Sequence, residues 1–354
     1  MSKNDPAPGF AAPSLPSDFD PDAAASGSGI YGLPFTANES YVVVIPVPFE
    51  ATTSYGGGTA RAPQAVLQAS RQVDLFDHET GKPYAAGIAM LDVPEEIILL
   101  NRNGRAAALP IIESGGAIHS ESERRELDSV NAASESVNRW VHETSRSLLE
   151  RGKMPVVLGG DHSVPFGQIE AYAERYPGVG ILHLDAHADL RESYEGFTWS
   201  HASIFHNVMT RIEGVGKLVQ VGLRDVGSAE NAMIESSNGR IVAYFDADLS
   251  ANRDEGVPFG EIANAIAEAL PENVYLSWDI DGLEPTLCPN TGTPVPGGLS
   301  WNEAIALLRA VVRSGRRIVG LDLCEVTPGE TEWDANVGAR LLYKMIGFAL
   351  MSQR

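Results

Sequence analysis

The residues able to do chemistry gather in three short stretches. In H-L-D-A-H-A-D at 183–189, Asp185, His187 and Asp189 alternate with alanines, which puts two carboxylates and an imidazole on one side of an extended backbone. Such a set repels itself or stays unsatisfied unless a cation lies between its members. G-G-D-H-S at 159–163 supplies His162, and S-W-D-I-D-G at 277–282 supplies Asp279 and Asp281. Each stretch follows a short apolar run and reads as a buried strand ending in ligand-type residues. The carboxyl ends of parallel strands share one edge of a sheet, and sites form along it. Four carboxylates and two imidazoles carry too much negative charge for one divalent ion and enough for two. Mixed nitrogen and oxygen ligation suits Mn, Fe, Co, Ni or Zn better than calcium or a thiolate site. Two ions held close together lower the pKa of a shared water from ~15.7 to roughly neutrality.

The same segments resemble the ureohydrolase family, which includes arginase and agmatinase. The likeness rests on G-G-D-H-S, on D-A-H-A-D at 185–189 and on S-W-D-I-D-G-L-E-P at 277–285, continued by C-P-N-T-G-T-P-V-P-G-G at 288–298. It spans roughly residues 40–350. It implies a three-layer α/β/α fold with a mainly parallel central sheet, and two divalent ions, manganese or nickel. Carried across residue by residue, it implies that His162 and Asp189 hold one ion, His187 and Asp281 the other, and that Asp185 and Asp279 bridge both. Asp189 can also orient the attacking water. Glu325, in G-L-D-L-C-E-V-T at 320–327, matches the family's guanidinium-binding glutamate. His201, in W-S-H-A-S at 199–203, matches the histidine that passes a proton to the departing amine, a task suited to an imidazole. Thr293, in N-T-G-T-P at 290–294, resembles a site-lining threonine. Glu284 stands where the family usually has Asp, which bears on the loop and not on the ligands. Trimers or hexamers are implied. A reading from another class is a catalytically silent subunit that assembles with an active paralogue.

Substrate choice is read largely by subtraction. Arginases carry an Asn at the position of Arg191 and an Asp at that of Gly227, both for the amino-acid end of arginine, so arginine is not the expected substrate. Arg191 is similar to its counterpart in formimidoylglutamases, which keeps carboxylate-bearing substrates open. The loops Y-E-G-F-T-W at 194–199, A-T-T-S-Y-G-G-G at 51–58 and C-P-N-T-G-T-P at 288–294 look more like the guanidine-hydrolase branch. On that reading Tyr194, Phe197 and Trp199 cover a small mouth, and Trp199 and Arg191 contact the substrate. The leading expectation is guanidine, or a small alkylguanidine or biguanide, hydrolysed to urea and ammonia or an amine. Guanidino acids, formimidoylglutamate and agmatine-like amines are the alternatives.

Composition sets the outer bounds. At 354 residues and 44% apolar, the chain can bury a large core. A net charge of −21 argues against nucleic acid or an anionic membrane as partner and favours a small cationic ligand. Cys288 and Cys324 form no C-x-x-C, so neither a disulfide scaffold nor a zinc cluster is indicated. No apolar signal core opens the chain and no run is long enough to span a bilayer, so a cytoplasmic enzyme is expected.

Residues 1–38, rich in Pro, Ala, Ser, Gly and Asp, read as a flexible arm, disordered or laid over a neighbouring subunit. A single catalytic domain is expected over 39–354. Strands are expected at 41–47 and near 155–158, 180–184, 218–222, 241–245, 274–278 and 318–323. Helices are expected from Pro63 to Ser70, from Val130 to Glu150, and near 165–175, 229–237, 259–270, 301–313 and 336–352. This rhythm argues one parallel sheet covered on both faces. Residues 100–128 are polar and weakly periodic and read as an inserted surface excursion. The glycine-rich loop 49–58 reads as a wall of the active-site mouth. Alternation along its strand turns Trp278 away from the ligands, into the helix-facing core.

Overall fold

Strand β1 (Val42–Val47) is buried along its whole length. Val42 and Val44 face one core, and Val43, Ile45 and Val47 face another. A strand apolar on both sides needs cover on both, as parallel sheets provide. The computed structural model describes residues 13–17, 19–25 and 27–354. Within it, β1 joins β2 (Ile88–Met90), β3 (Met154–Gly159), β4 (Val179–Leu184), β5 (Val215–Leu223), β6 (Ile241–Phe245), β7 (Asn273–Asp279) and β8 (Arg317–Cys324). The eight strands form one sheet in the order β2-β1-β3-β8-β7-β4-β5-β6, and every pairing is parallel.

Helices cover both faces. α1 (Ala62–Ala69), α7 (Asp246–Asp254), α8 (Phe259–Glu268), α9 (Trp301–Arg313) and α10 (Trp333–Ser352) pack on one side, around Val156, Leu276 and Trp278. α2 (Glu95–Glu113), α3 (Glu121–Glu150), α4 (Phe166–Arg175) and α5 (Ile204–Arg211) pack on the other, with α6 (Ser228–Ser236) at its margin. The layers are therefore α/β/α, and Trp278 sits in the helix-facing core as alternation requires.

Two expectations need correction. Residues 100–128 are not a surface excursion: 100–113 belong to α2 and 121–128 to α3, with a short turn between them. α3 opens on a reciprocal cap between Ser120 and Glu123, and buries one stripe through Leu127, Val130, Val137 and Val141. In α2, Gly104 lets the helix back closely onto Ala51, 3.1 Å from where a Cβ would stand. That contact has a purpose, because α2 holds the mouth loop: Asn101 Oδ1 accepts from Glu50 N at 2.8 Å, and the Arg105 guanidinium donates to the carbonyl of Thr53.

The arm is the second correction. Ile30, Tyr31 and Leu33 are fully buried, so the chain joins the core before residue 38. The Tyr31 backbone N–H donates to Ser70 Oγ at 2.8 Å, and the Tyr31 hydroxyl donates to Ala339 O in α10 at 3.1 Å. This part is packed on its own subunit. Residues 1–12, Asp18 and Ser26 lie outside the described residues.

Candidate metal centre and active site

β3, β8, β7 and β4 are neighbours in the sheet, and each delivers its functional residue from its carboxyl end. Gly160 makes the first delivery feasible: a Cβ there would lie 2.0 Å from Phe49 O. His162 follows, with Nδ1 turned to the centre at 3.2 Å from Asp185 Oδ2, 3.5 Å from Asp189 Oδ2 and 3.6 Å from Asp279 Oδ2. His187 Nδ1 lies 3.3 Å from Asp185 Oδ1 and 3.2 Å from Asp281 Oδ2. The two oxygens of Asp185 thus face two different imidazoles.

Backbone hydrogen bonds aim the other carboxylates. Asp281 Oδ1 accepts from Ala186 N at 3.0 Å, and Asp279 Oδ1 accepts from Asp281 N at 2.8 Å, which leaves each Oδ2 for the centre. Asp189 and Glu325 both adopt left-handed backbone, with φ of 53° and 62°. Such conformations are uncommon outside glycine and cluster at functional sites.

Charge at this centre is crowded. Burial, and then the charge of a neighbouring aspartate, pushes the carboxyls of Asp189, Asp279 and Asp281 up. Burial opposes charge on Asp185 as well, but hydrogen bonds from His162 and His183 hold its carboxyl well below the ordinary range. Burial likewise opposes charge on His187, yet Asp185 and Asp281 push its imidazole up to about 12. A donor set that draws protons this strongly has the chemistry of a cation site. Two groupings within binding reach, one of His162, His183, Asp185 and Asp189 and one of Asp185, His187 and Asp281, share Asp185.

Above the centre is a cleft of ≈ 150 Å³, lined among others by Ser54, Tyr194, His201, Asp225, Glu230, Thr293 and Glu325. The Arginase family model matches residues 40–347. An N(1)-aminopropylagmatine ureohydrolase of Thermus thermophilus is 36% identical over 309 residues, covering 87% of this chain and 90% of that protein. The chain belongs to the arginase family. A Synechocystis protein, also an N(1)-aminopropylagmatine ureohydrolase, is 29% identical, over 89% of this chain and 91% of its own length. Among solved structures, the agmatine ureohydrolase of Thermoplasma volcanium superposes with a TM-score of 0.69 at 22% identity, covering 92% of this chain and 95% of that one. The proclavaminate amidino hydrolase of Streptomyces clavuligerus gives 0.67 at 20%, covering 99% and 100%. Both share the fold. As a ureohydrolase, this protein is a hydrolase of C–N bonds in linear amidines.

Most of the site residues expected from the sequence converge in this ureohydrolase. His162, His187, Asp189, Asp279, Arg191, His201, Thr293 and Glu325 line the cleft, with Asp185 and Asp281 buried in its floor. Glu325 Oε1 accepts from His162 N at 2.9 Å. His201 stands between Ser54 Oγ and Ser200 Oγ, each 3.4 Å from one ring nitrogen, and burial, then the charge of His187, lowers its imidazole to about 4.

Trp199 does not converge. It packs edge-on to Phe166 at 4.9 Å, under the guanidinium of Arg211, and donates to Glu135 at 3.2 Å. Phe197 is fully buried too, so Tyr194 is what remains of the expected aromatic cover. The loop's indole was needed to fill the core between α4 and α5.

Sequence reasoning missed the buried polar residues behind His162 and Asp185. Ser277 Oγ lies 3.0 Å from His162 Nε2 and donates to Asp322, 2.9 Å from Oδ2. His183 donates to Asp185 from the other side. The available signal was polar residues inside otherwise apolar strands: a buried polar group needs a partner. Arg224 was also missed. It donates to the carbonyls of Gly222, Asp281 and Val295, which ties the end of β5 to the loop after β7.

Proposed function

We propose that this ureohydrolase converts a guanidine with a cationic tail, of the agmatine type, to urea and an amine at two divalent ions. The carrying observation is the distribution of carboxylates: Glu325 lies beside His162 in the cleft, while Asp225 lines its exposed wall; Glu230 on the same wall is taken up by Leu190 N and Gly227 N. A substrate positive at both ends has a partner for each. The names of the Thermus and Synechocystis relatives support the same class.

His162, Asp185, His187, Asp189, Asp279 and Asp281 would hold the ions, which when bound activate the attacking water. Glu325 holds the guanidinium through a charge-assisted pair. Water adds to the guanidinium carbon, the bond to the substituted nitrogen breaks, and that nitrogen leaves with a proton. His201, held neutral by burial, takes a proton at a ring nitrogen and gives it to the leaving amine.

Free guanidine or a small alkylguanidine is the second reading. The small cleft favours it, as does Tyr194, which stacks under the Arg191 guanidinium at 5.0 Å and narrows the mouth. Arg191 Nε is 3.6 Å from Glu230 Oε2, so part of the wall's charge is already met. The test is kcat/KM for agmatine, N(1)-aminopropylagmatine, guanidine, methylguanidine, 4-guanidinobutyrate and formimidoylglutamate, on protein reconstituted with manganese and with nickel. The expected order puts the tailed cations first, by about tenfold or more, the value of one lost charged contact. Guanidine in first place would transfer the assignment to the second reading. No urea from any compound, with metal bound, would remove both.

A further inference from the structure

We propose that Gln220 and His183 form a buried relay whose role is to aim Asp185 Oδ2 at the first ion position, the one beside His162; the proposal rests on the two-ion reading above. His183 in β4 and Gln220 in β5 are register partners, and both are 0% exposed. Gln220 Nε2 donates to Ala188 O at 2.7 Å. A carbonyl only accepts, so this bond decides which way the amide faces. The same Nε2 lies 2.9 Å from His183 Nδ1, and its second hydrogen falls to that nitrogen. Nδ1 is then an acceptor, the ring proton is on Nε2, and Nε2 donates to Asp185 Oδ2 at 2.9 Å. Phe205 closes the side, its ring 4.0 Å from that of His183.

Packing alone does not account for the pair. Gln220 Oε1 is buried and finds no hydrogen-bond partner among the described residues. One hydrogen of Gln220 Nε2 is accounted for by the buried Ala188 carbonyl, which an apolar side chain would leave unpaired; the bond to His183 is what satisfaction of that carbonyl does not explain. What the polar pair adds is one N–H, pointed at the carboxylate whose two oxygens face His162 and His187. His187 N donates to Oδ1 at 2.6 Å and holds that side; without the His183 donor, Oδ2 loses the bond that fixes its direction toward the first ion position. Outer hydrogen-bond partners of this kind are typically worth ~10–100-fold in metal affinity.

The test compares His183→Gln with His183→Phe by chelator competition, reading ions per chain by elemental analysis, and by the ligand-field spectrum of the cobalt-loaded protein. Glutamine keeps an amide donor near the Nε2 position and loses the ring; phenylalanine keeps the ring and loses the donor. The relay requires His183→Gln to stay within about threefold of wild type, and His183→Phe to lose metal at ~10–100-fold lower chelator. Equal loss in the two variants, or better retention by phenylalanine, overturns it. If neither variant folds, Gln220→Met decides: it should weaken metal binding because the ring proton is no longer fixed, and wild-type affinity there overturns the relay. Wild-type protein that binds no stoichiometric metal would instead sink the two-ion reading beneath it.

Discussion

Glu325 and His162 are 163 positions apart in the chain, and the carboxylate of one accepts the backbone N–H of the other at 2.9 Å. One oxygen of Glu325 is thereby fixed to the loop that carries a ligand. On the proposed reading, in which Glu325 meets the substrate's charge and His162 an ion, this single bond registers the two to each other.

Glu325→Gln should therefore keep its metal and lose turnover. An amide can still accept from His162 N, but it offers the guanidinium no charge. We expect kcat/KM to fall ~10–100-fold, the range for losing a charged hydrogen bond, with ions per chain unchanged. Wild-type kcat/KM in this variant would assign the guanidinium to another carboxylate.

Asp279→Ala should reduce bound metal from two ions per chain to one or none after reconstitution in excess metal. Stripping the wild type with chelator should lower its melting temperature, because ions that bind only the folded state add about 4 kcal/mol at a thousand times their Kd. Elemental analysis and a thermal melt on the same samples check both.

His201→Ala should lower kcat by ~10²–10⁴ with metal retained, as for a positioned acid or base. A pH signature accompanies it. The folded imidazole titrates at about 4 and the unfolded one at the ordinary 6.5. Between those values the unfolded chain binds the proton and the folded chain does not, so this residue favours unfolding increasingly as pH falls from 6.5 to about 4. Stability of His201→Ala relative to wild type should therefore rise across that window and be constant above it. Parallel denaturation curves at all pH values would contradict the assignment.

Arg105→Met should act at a distance from the chemistry. It removes the guanidinium that α2 extends to the carbonyl of Thr53, next to Ser54 on the cleft wall. KM should rise about tenfold while kcat holds within about threefold, as expected for a loosened binding loop. Metal content serves as the control and should not change.

The ligand segments were legible because each is a short apolar strand followed by donors, a pattern that needs no tertiary knowledge. Seven of the strands are legible for the same reason; β2 escaped because Ile88, Ala89 and Met90 are too few to show alternation. α2 and the part of α3 ahead of Val130 escaped because their outward faces are polar, and in α2 because Asn101, Gly104 and Pro110 lower local helix propensity. Tertiary contacts override that: Gly104 fits Ala51, and Asn101 caps the mouth loop. Trp199 was misassigned because an aromatic in a loop carries no mark of which way it faces. His183, Gln220 and Asp322 are polar residues within strands, and only pairing across the sheet supplies their partners.

β8 comes second to last among the elements of the chain, yet it lies between β3 and β7 near the middle of the sheet. A nascent polypeptide that has not reached Arg317 holds two open parallel edges, and the strands carrying His162 and Asp279 have nothing to register them. Closing that gap costs loop entropy before any pairing repays it. On the two-ion reading, nearly the whole chain must therefore be made before metallation has a complete site to fill, and a truncation ahead of β8 should leave a half-sheet with two open edges in place of a weaker enzyme.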